Sequence, residues 1–308
     1  MEYVLTTNTL QKKYHNFTAL DNVNMHIPKS AIYGFVGENG AGKTTLIRLI
    51  CGLQAPTGGS YSLFGVPSSD KNIRKSRQRM GAVVETPSVY LNLSAEDNLK
   101  QQLRILGVPS FEAIPELLNI VGLENTGSKK AKHLSLGMRQ RLGIAVSLAG
   151  NPDFLVLDEP VNGLDPQGIV EMRELLLKLN VEYGITILIS SHILGELSKL
   201  ATFYGFIHKG RIIQEISAKA LEASCRKSLR ASVSDTKALA MAMEEKGVEY
   251  QIISETQAEV YDDITVSDLV NILNPKKCIV YSVSSREEGL EKHYMNLITG
   301  GALSEPHV

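Results

Sequence analysis

Ala31 to Val36 is apolar apart from Gly34, and it runs straight into Gly37-Glu38-Asn39-Gly40-Ala41-Gly42-Lys43-Thr44-Thr45. Leu46, Ile47, Leu49 and Ile50 then recur at helical spacing, and Gly52 stands where that helix can end. Buried strand, glycine-rich loop and helix start, in that order, predict an α/β core with the loop at the strand's carboxyl end. The glycines let the backbone curl, so that successive N–H groups point at anionic oxygens. The helix N-terminus adds partial positive charge. Gly37 to Thr45 therefore reads as a cradle for the phosphates of a nucleoside triphosphate, ATP with Mg²⁺. Lys43 is placed to reach the β- and γ-phosphates, and the Thr44 hydroxyl to ligate Mg²⁺ beside phosphate oxygens and water. The four fixed positions alone match by chance in roughly one such chain in a hundred, and the flanking strand and helix make chance rarer still.

Phe154 to Leu157 is a second buried strand, ending in Asp158-Glu159-Pro160. An acid at the end of a parallel strand, next to a phosphate loop, can hold Mg²⁺, and Asp158 fits. Glu159 is then placed to orient or deprotonate the attacking water. Adjacent acids after a strand are common in surface turns, so this pair takes its meaning from the loop.

Between the two strands lies Leu134-Ser135-Leu136-Gly137-Met138-Arg139-Gln140-Arg141. Here the sequence resembles the nucleotide-binding subunits of ABC transporters, whose signature reads LSGGQ. Ser135 and Gly137 match, while Leu136 replaces the first glycine and Met138 the glutamine. The resemblance implies that Ser135 and Gly137 offer a hydroxyl and an N–H to a γ-phosphate. Ser135 is equally placed to cap a helix from Met138 to Leu148, and both uses draw on the same orphan N–H groups. Further matches follow in order. Gly163-Leu164-Asp165 is similar to the D-loop, which crosses the dimer interface. His192, after the strand Ile185 to Ile189 and Ser190-Ser191, is similar to the switch histidine on the γ-phosphate. Tyr14 is similar to the aromatic that stacks on adenine, although an ordinary half-buried tyrosine fits the same position. At the joint between core and helical subdomain the family mostly carries glutamine, which contacts Mg²⁺ and the attacking water. This chain has Glu85, and a carboxylate can also ligate Mg²⁺. Glu85 with Thr86-Pro87 resembles the subunits of bacterial exporters for bacitracin and lantibiotic-type peptides.

The resemblance covers about Met1 to Ile216. It implies a P-loop NTPase core of ABC type, with an antiparallel β subdomain (Met1 to Ile27, Pro28 in a turn) and a helical subdomain over about 87–150, opened by a capping box at Ser94 to Asp97. It also implies a head-to-tail dimer in which each ATP lies between Lys43 of one subunit and Ser135 and Gly137 of the second nucleotide-binding subunit. Glu159, His192 and Glu85 are the expected catalytic residues, and Thr44, Asp158 and Glu85 the expected Mg²⁺ ligands. Membrane-spanning subunits would act in trans. A rival of the same fold is a soluble ATPase acting on ribosomes or DNA, but neither a second such domain nor a long coiled coil is found.

Composition sets the remaining bounds. Lys plus Arg number 32 against 33 for Asp plus Glu, a net charge of -1, so nothing draws the whole chain to nucleic acid or an anionic membrane. The basic residues Lys71, Arg74, Lys75, Arg77 and Arg79 lack interleaved aromatics and read as a solvated face. Lys129, Lys130 and Lys132 read the same way. Cys51, Cys225 and Cys278 are too irregular for a metal site or disulfide framework and suit a reducing cytosol. The N-terminus lacks the pattern of a signal peptide, and no apolar run reaches the ~18–20 residues of a membrane helix. The expected place is the cytoplasmic face of the membrane. Residues 218–308 predict a separate small α+β domain of order β-α-β-β-α-β-α, ferredoxin-like, following the nucleotide-binding domain at 1–217. Its last expected elements are a strand from Cys278 to Val283 and a helix from Arg286 to Thr299.

Overall fold

The computed structural model describes residues 2–224, 227–261, 264–287 and 290–299 of the 308. The chain divides into two units, Met1–Ala218 and Lys219–Val308. In the first, β1 (Tyr3–Tyr14) and β2 (Phe17–Pro28) make a long antiparallel hairpin. Register shifts near Thr9 and Asn22, both at positive φ, let Leu5 and Leu10 bury on the same side despite their odd spacing. Pro28 both ends β2 opposite Tyr3 and opens a turn, its carbonyl accepting from the Ala31 N–H at 3.3 Å, and on this edge strand its missing N–H costs no ladder bond.

β3 (Ile32–Val36) leads into α1 (Lys43–Ile50). β4 (Gly58–Leu63) and β5 (Val66–Pro67) complete the first sheet in the order β2-β1-β4-β5. Next come α2 (Ile73–Gln78) and β6 (Met80–Val83), followed by a mostly helical stretch. That stretch holds α3 (Ala95–Ile105), α4 (Ile114–Ile120) and α5 (Leu136–Leu148), with Ser94 capping α3 as expected. The basic stretch over α2 is only partly a solvated face. Arg77 is turned inward to donate to the Tyr61 hydroxyl. Arg79 lies 3.9 Å over the Phe64 ring and pairs with Asp153 at 2.6 Å.

The remaining elements of this unit are β7 (Phe154–Asp158), α6 (Pro166–Val181), β8 (Thr186–Ser191), α7 (Leu194–Leu197), β9 (Phe203–His208) and β10 (Arg211–Ser217). The second sheet runs β10-β9-β3-β8-β7-β6, parallel from β9 to β6, with β10 antiparallel at the edge. β3, β7 and β8 are buried at every residue, because a parallel strand is covered on both faces. In register, Val36 lies opposite Ser191, and Asp158 opposite Ser190. The carboxyl ends of β3, β8 and β7 thus place the phosphate loop, two serines and the paired acids along one edge. Among the described residues no helix is long and apolar enough to cross a membrane.

The second unit opens with α8 (Ala218–Ser224), whose first residue closes the first unit. It contains β11 (Lys227–Val233), α9 (Thr236–Lys246), β12 (Glu249–Ser254), β13 (Gln257–Tyr261), α10 (Val266–Leu273), β14 (Val280–Glu287) and α11 (Leu290–Ile298). Its sheet is antiparallel, in the order β12-β13-β11-β14, and its core gathers Leu229, Val233, Leu239, Met243, Val260 and Leu269. The last helix begins at Leu290, later than expected. Arg286 and Glu287 instead extend β14, pairing with Ser228 and Lys227, so cross-strand bonding overrides their helix propensity. Cys51 and Cys278 are free thiols, and Cys225 lies outside the described residues. Burial pushes the Cys51 thiol up to about 12.

Candidate functional site

The loop after β3 is shaped by close approach as much as by curvature. A Cβ on Gly37 would meet Ile207 Cγ2 at 2.6 Å and the Ile207 carbonyl at 2.7 Å. Gly42 has φ +109 and lies where a Cβ would be 2.7 Å from the Ala19 carbonyl. Both the conformation and the space therefore require glycine there. Glu38, Asn39 and Gly40 are exposed at the crest, while Ala41 is buried beneath. Thr44 and Thr45 are half-buried on the first turn of α1. No side chain caps that helix; its N-cap is Gly42 in the left-handed region. The first-turn N–H groups are therefore left for an acceptor from outside the helix.

Lys43 is 6% exposed. Its Nζ donates to the Gly37 and Glu38 carbonyls at 2.6 and 3.2 Å, and lies 3.2 Å from Glu159 Oε1. Glu159 follows β7 at φ +50, a costly conformation for a non-glycine residue. Its N–H is held by the Ser190 hydroxyl at 2.9 Å and the Ser190 carbonyl at 3.2 Å. Glu159 Oε2 meets His192 Nδ1 at 2.7 Å. Lys43, Glu159 and His192, far apart in sequence, thus form one continuous chain of polar contacts.

Asp158 is 2% exposed. Its Oδ1 accepts from the Ser190 hydroxyl at 2.6 Å, while its Oδ2 is buried with no hydrogen-bond partner among the described residues. A buried carboxylate oxygen without a donor calls for a cation. Among the described residues no group of three or more His, Cys, Asp or Glu could hold a metal. A sparse set such as Thr44 and Asp158 suits Mg²⁺, which keeps phosphate oxygens and water as its other ligands.

Ser135 and Gly137 stand apart from this cluster. Ser135 caps α5, its hydroxyl accepting from the Met138 N–H at 3.2 Å. With Gly137, Gly163, Leu164 and Asp165 it lines a cavity of about 450 Å³. Leu136 packs on Gly163, where a Cβ would sit 3.2 Å from Leu136 Cδ2. Asp165 caps α6 by accepting from the Gly168 N–H at 2.9 Å. Glu85, at φ +62, is paired with Arg48. Tyr14 is held separately, its hydroxyl donating to Gln54 and Lys12 Nζ lying 5.1 Å from its ring centroid.

Two parts of the site escape the sequence reading. Ser190 joins Asp158 and Glu159, and its only signal was a polar pair closing an apolar strand. The turn between β9 and β10 braces the phosphate loop: the Gly210 N–H donates to the Ala41 carbonyl at 3.0 Å, and the Asp21 N–H to the Gly210 carbonyl at 2.8 Å. Nothing local in the sequence joins residue 210 to residue 41.

The family described as ABC transporter matches residues 20–162. The bacitracin transport ATP-binding protein BcrA of Bacillus licheniformis is 40% identical over 306 residues, 98% of this chain and 100% of its own. BcrA of Enterococcus faecalis is 37% identical over 99% of each chain. The lantibiotic transport ATP-binding protein SrtF of Streptococcus pyogenes is 48% identical over 212 residues, 69% of this chain and 90% of its own. Among solved structures, cbiO1 from Clostridium perfringens, part of the ABC transporter complex cbiONQ, matches with a TM-score of 0.65 at 26% identity, covering 79% of this chain and 96% of its own. The ATP-binding cassette MJ0796, a dimer in a post-hydrolysis state bound to ADP and Pi, matches with a TM-score of 0.62 at 25% identity, covering 70% and 98%.

Proposed function

This chain belongs to the ABC transporter ATP-binding proteins, and we propose that its ATPase cycle drives a bacitracin- or lantibiotic-type peptide outward through separate membrane-spanning subunits. It binds ATP and hydrolyses it to ADP and phosphate. The cargo class is supported by the transport named for the BcrA and SrtF relatives and by Glu85 preceding Thr86-Pro87. The transport ATP-binding role named for the relatives supports a spanning path made by other subunits, with this chain working peripherally on their cytoplasmic side.

The observation that carries the mechanism is the Lys43–Glu159–His192 chain. Lys43, buried beneath the loop, stabilises charge on the transferring phosphoryl group. Glu159 orients the attacking water and takes its proton, with His192 fixing the carboxylate from the other side. His192, about one-third exposed, is also free to meet the γ-phosphate. Thr44 and Asp158 would hold Mg²⁺, with Glu85 as a further ligand. When bound, that ion would offset the charge on the phosphates.

Ser135 and Gly137 line a cavity apart from Lys43, so a second copy packed head to tail completes each site. The dimeric MJ0796 cassette supports this arrangement. Closure around a shared γ-phosphate, and release after hydrolysis, would move the helical subdomains (about 87–150) against their membrane partners. The antiparallel order β12-β13-β11-β14, with helices between strands, supports a ferredoxin-like accessory domain after a nucleotide-binding domain ending near residue 217.

Glu159→Gln tests the mechanism. ATP binding is retained, turnover falls about 10²–10⁴-fold, and an ATP-dependent dimer accumulates in light scattering. Turnover at the wild-type rate removes Glu159 as the base. For the cargo, deletion of the gene raises sensitivity to bacitracin-class peptides. Unchanged sensitivity overturns the cargo class and leaves the ATPase intact.

A further inference from the structure

Glu85 has a partner that nothing in the motif reading supplies. Its carboxylate is bonded to the Arg48 guanidinium, with the two side chains 54% and 37% exposed. Arg48 lies on α1 four residues after Thr44, so both share a helix face, roughly 6 Å apart along the axis. The ion pair therefore holds Glu85 through a residue one helical turn along α1 from Thr44, whose hydroxyl is expected to ligate Mg²⁺. The segment around Glu85 is anchored on both sides. Val84 packs against the core of the first unit, and Pro87 presses on α5, where a Cβ on Gly143 would meet Pro87 Cβ at 2.7 Å. Between these anchors Glu85 sits at φ +62 with an exposed side chain, a pivot between the phosphate-loop helix and the helix that Ser135 caps.

We propose that Arg48 is a positioning residue that competes with Mg²⁺ for the Glu85 carboxylate, so that loading of Mg-ATP exchanges a guanidinium for the ion. The inference rests on the reading of Glu85 as a Mg²⁺ ligand. It belongs to the glutamate in particular, because a neutral amide makes a weaker bond to arginine and gives up less on exchange. Arg48 thereby raises the Mg²⁺ concentration that the site requires. It also delays the moment at which the segment packed on α5 is drawn toward the phosphate loop.

The test is a Mg²⁺ titration of the binding of a fluorescent, non-hydrolysable ATP analogue to the full chain. Wild type, Arg48→Met, Glu85→Gln, their double variant and Glu85→Ala are compared, with Arg48→Lys as a second substitution should Arg48→Met not fold. Arg48→Met lowers the half-saturating Mg²⁺ concentration about two- to five-fold, the range open to an exposed ion pair. In the Glu85→Gln background the same change has less than half that effect. An equal shift in both backgrounds reduces Arg48 to a repelling charge and overturns the competition. No shift with Arg48→Met, while Glu85→Gln alone raises the requirement, overturns the proposal and leaves Glu85 as a ligand. No shift with Glu85→Ala, which leaves no ligand atom, overturns the ligand reading and the proposal with it.

Discussion

Helices α1 and α10 begin in opposite ways. At α10 the Thr265 hydroxyl accepts from the Asp268 N–H at 3.1 Å, and Asp268 Oδ2 accepts from the Thr265 N–H at 3.2 Å. The helix start is completed by its own residues. At α1 the N-cap is a left-handed glycine without a capping side chain. Its free N–H groups face a loop that buries Lys43, with Asp158 buried at the end of the neighbouring β7. One start is finished locally, and the other is finished only by an anion. An uncapped start is not in itself a mark of chemistry, since α2 and α4 also lack a side-chain cap; at α1 it coincides with a buried lysine and a left-handed Glu159.

The contrast can be broken at its strongest point by Lys43→Ala. ATP affinity is expected to fall by about 2–5 kcal/mol, because the phosphates lose the cation that the buried Lys43 brings to them. Titration calorimetry reads it, and retained tight binding would end the phosphate-loop reading. The next effect separates two glycines of the same loop. Gly42→Ala meets the Ala19 carbonyl and a φ of +109, whereas Gly40→Ala has φ +81 and nothing within 4 Å. Gly42→Ala should cost about 1–3 kcal/mol in thermal unfolding, and Gly40→Ala about 1 kcal/mol or less. Equal costs would show that the close approach at Gly42 is dispensable.

The smallest effect is expected at the finished helix. Thr265→Ala should cost about 0.5–1 kcal/mol of stability and leave ATP affinity unchanged. Bonds from the Thr265 hydroxyl and then its N–H hold the Asp268 carboxyl below its ordinary value of 3.8. A carboxyl lowered in the folded state adds stability above its unfolded value, and that stability is lost as pH falls through the lowered folded value. The gap between wild type and Thr265→Ala should therefore narrow below about pH 3.8, as followed by acid unfolding. A gap that stays constant with pH would remove the charge from the account of this cap.

Both helix starts were legible in the sequence. Thr265 and Asp268 form their box within four residues, so the sequence pattern and the geometry coincide. Gly37 to Thr45 was equally plain, because glycines, lysine and flanking periodicity are all local. Tertiary pairing overruled local reading elsewhere. Arg286 joined β14 through Ser228, and Arg77 left the solvent for Tyr61. Glu85 was recognisable as a departure, but its partner Arg48 came from an unrelated segment.

Local sequence alone determined that a strand, a glycine loop and an uncapped helix would make a phosphate cradle, since backbone conformation and hydrogen-bond supply there depend on near neighbours. It also determined that an acid pair would end a buried strand. Only the tertiary structure decided that Lys43, Glu159 and His192 would join in one chain, with Ser190 holding both acids. It also decided that Ser135 and Gly137 would lie in a separate cavity. The physical reason is register: neighbouring parallel strands, 4.7–4.9 Å apart in general, set which distant residues share an edge, and no local window of sequence carries that order.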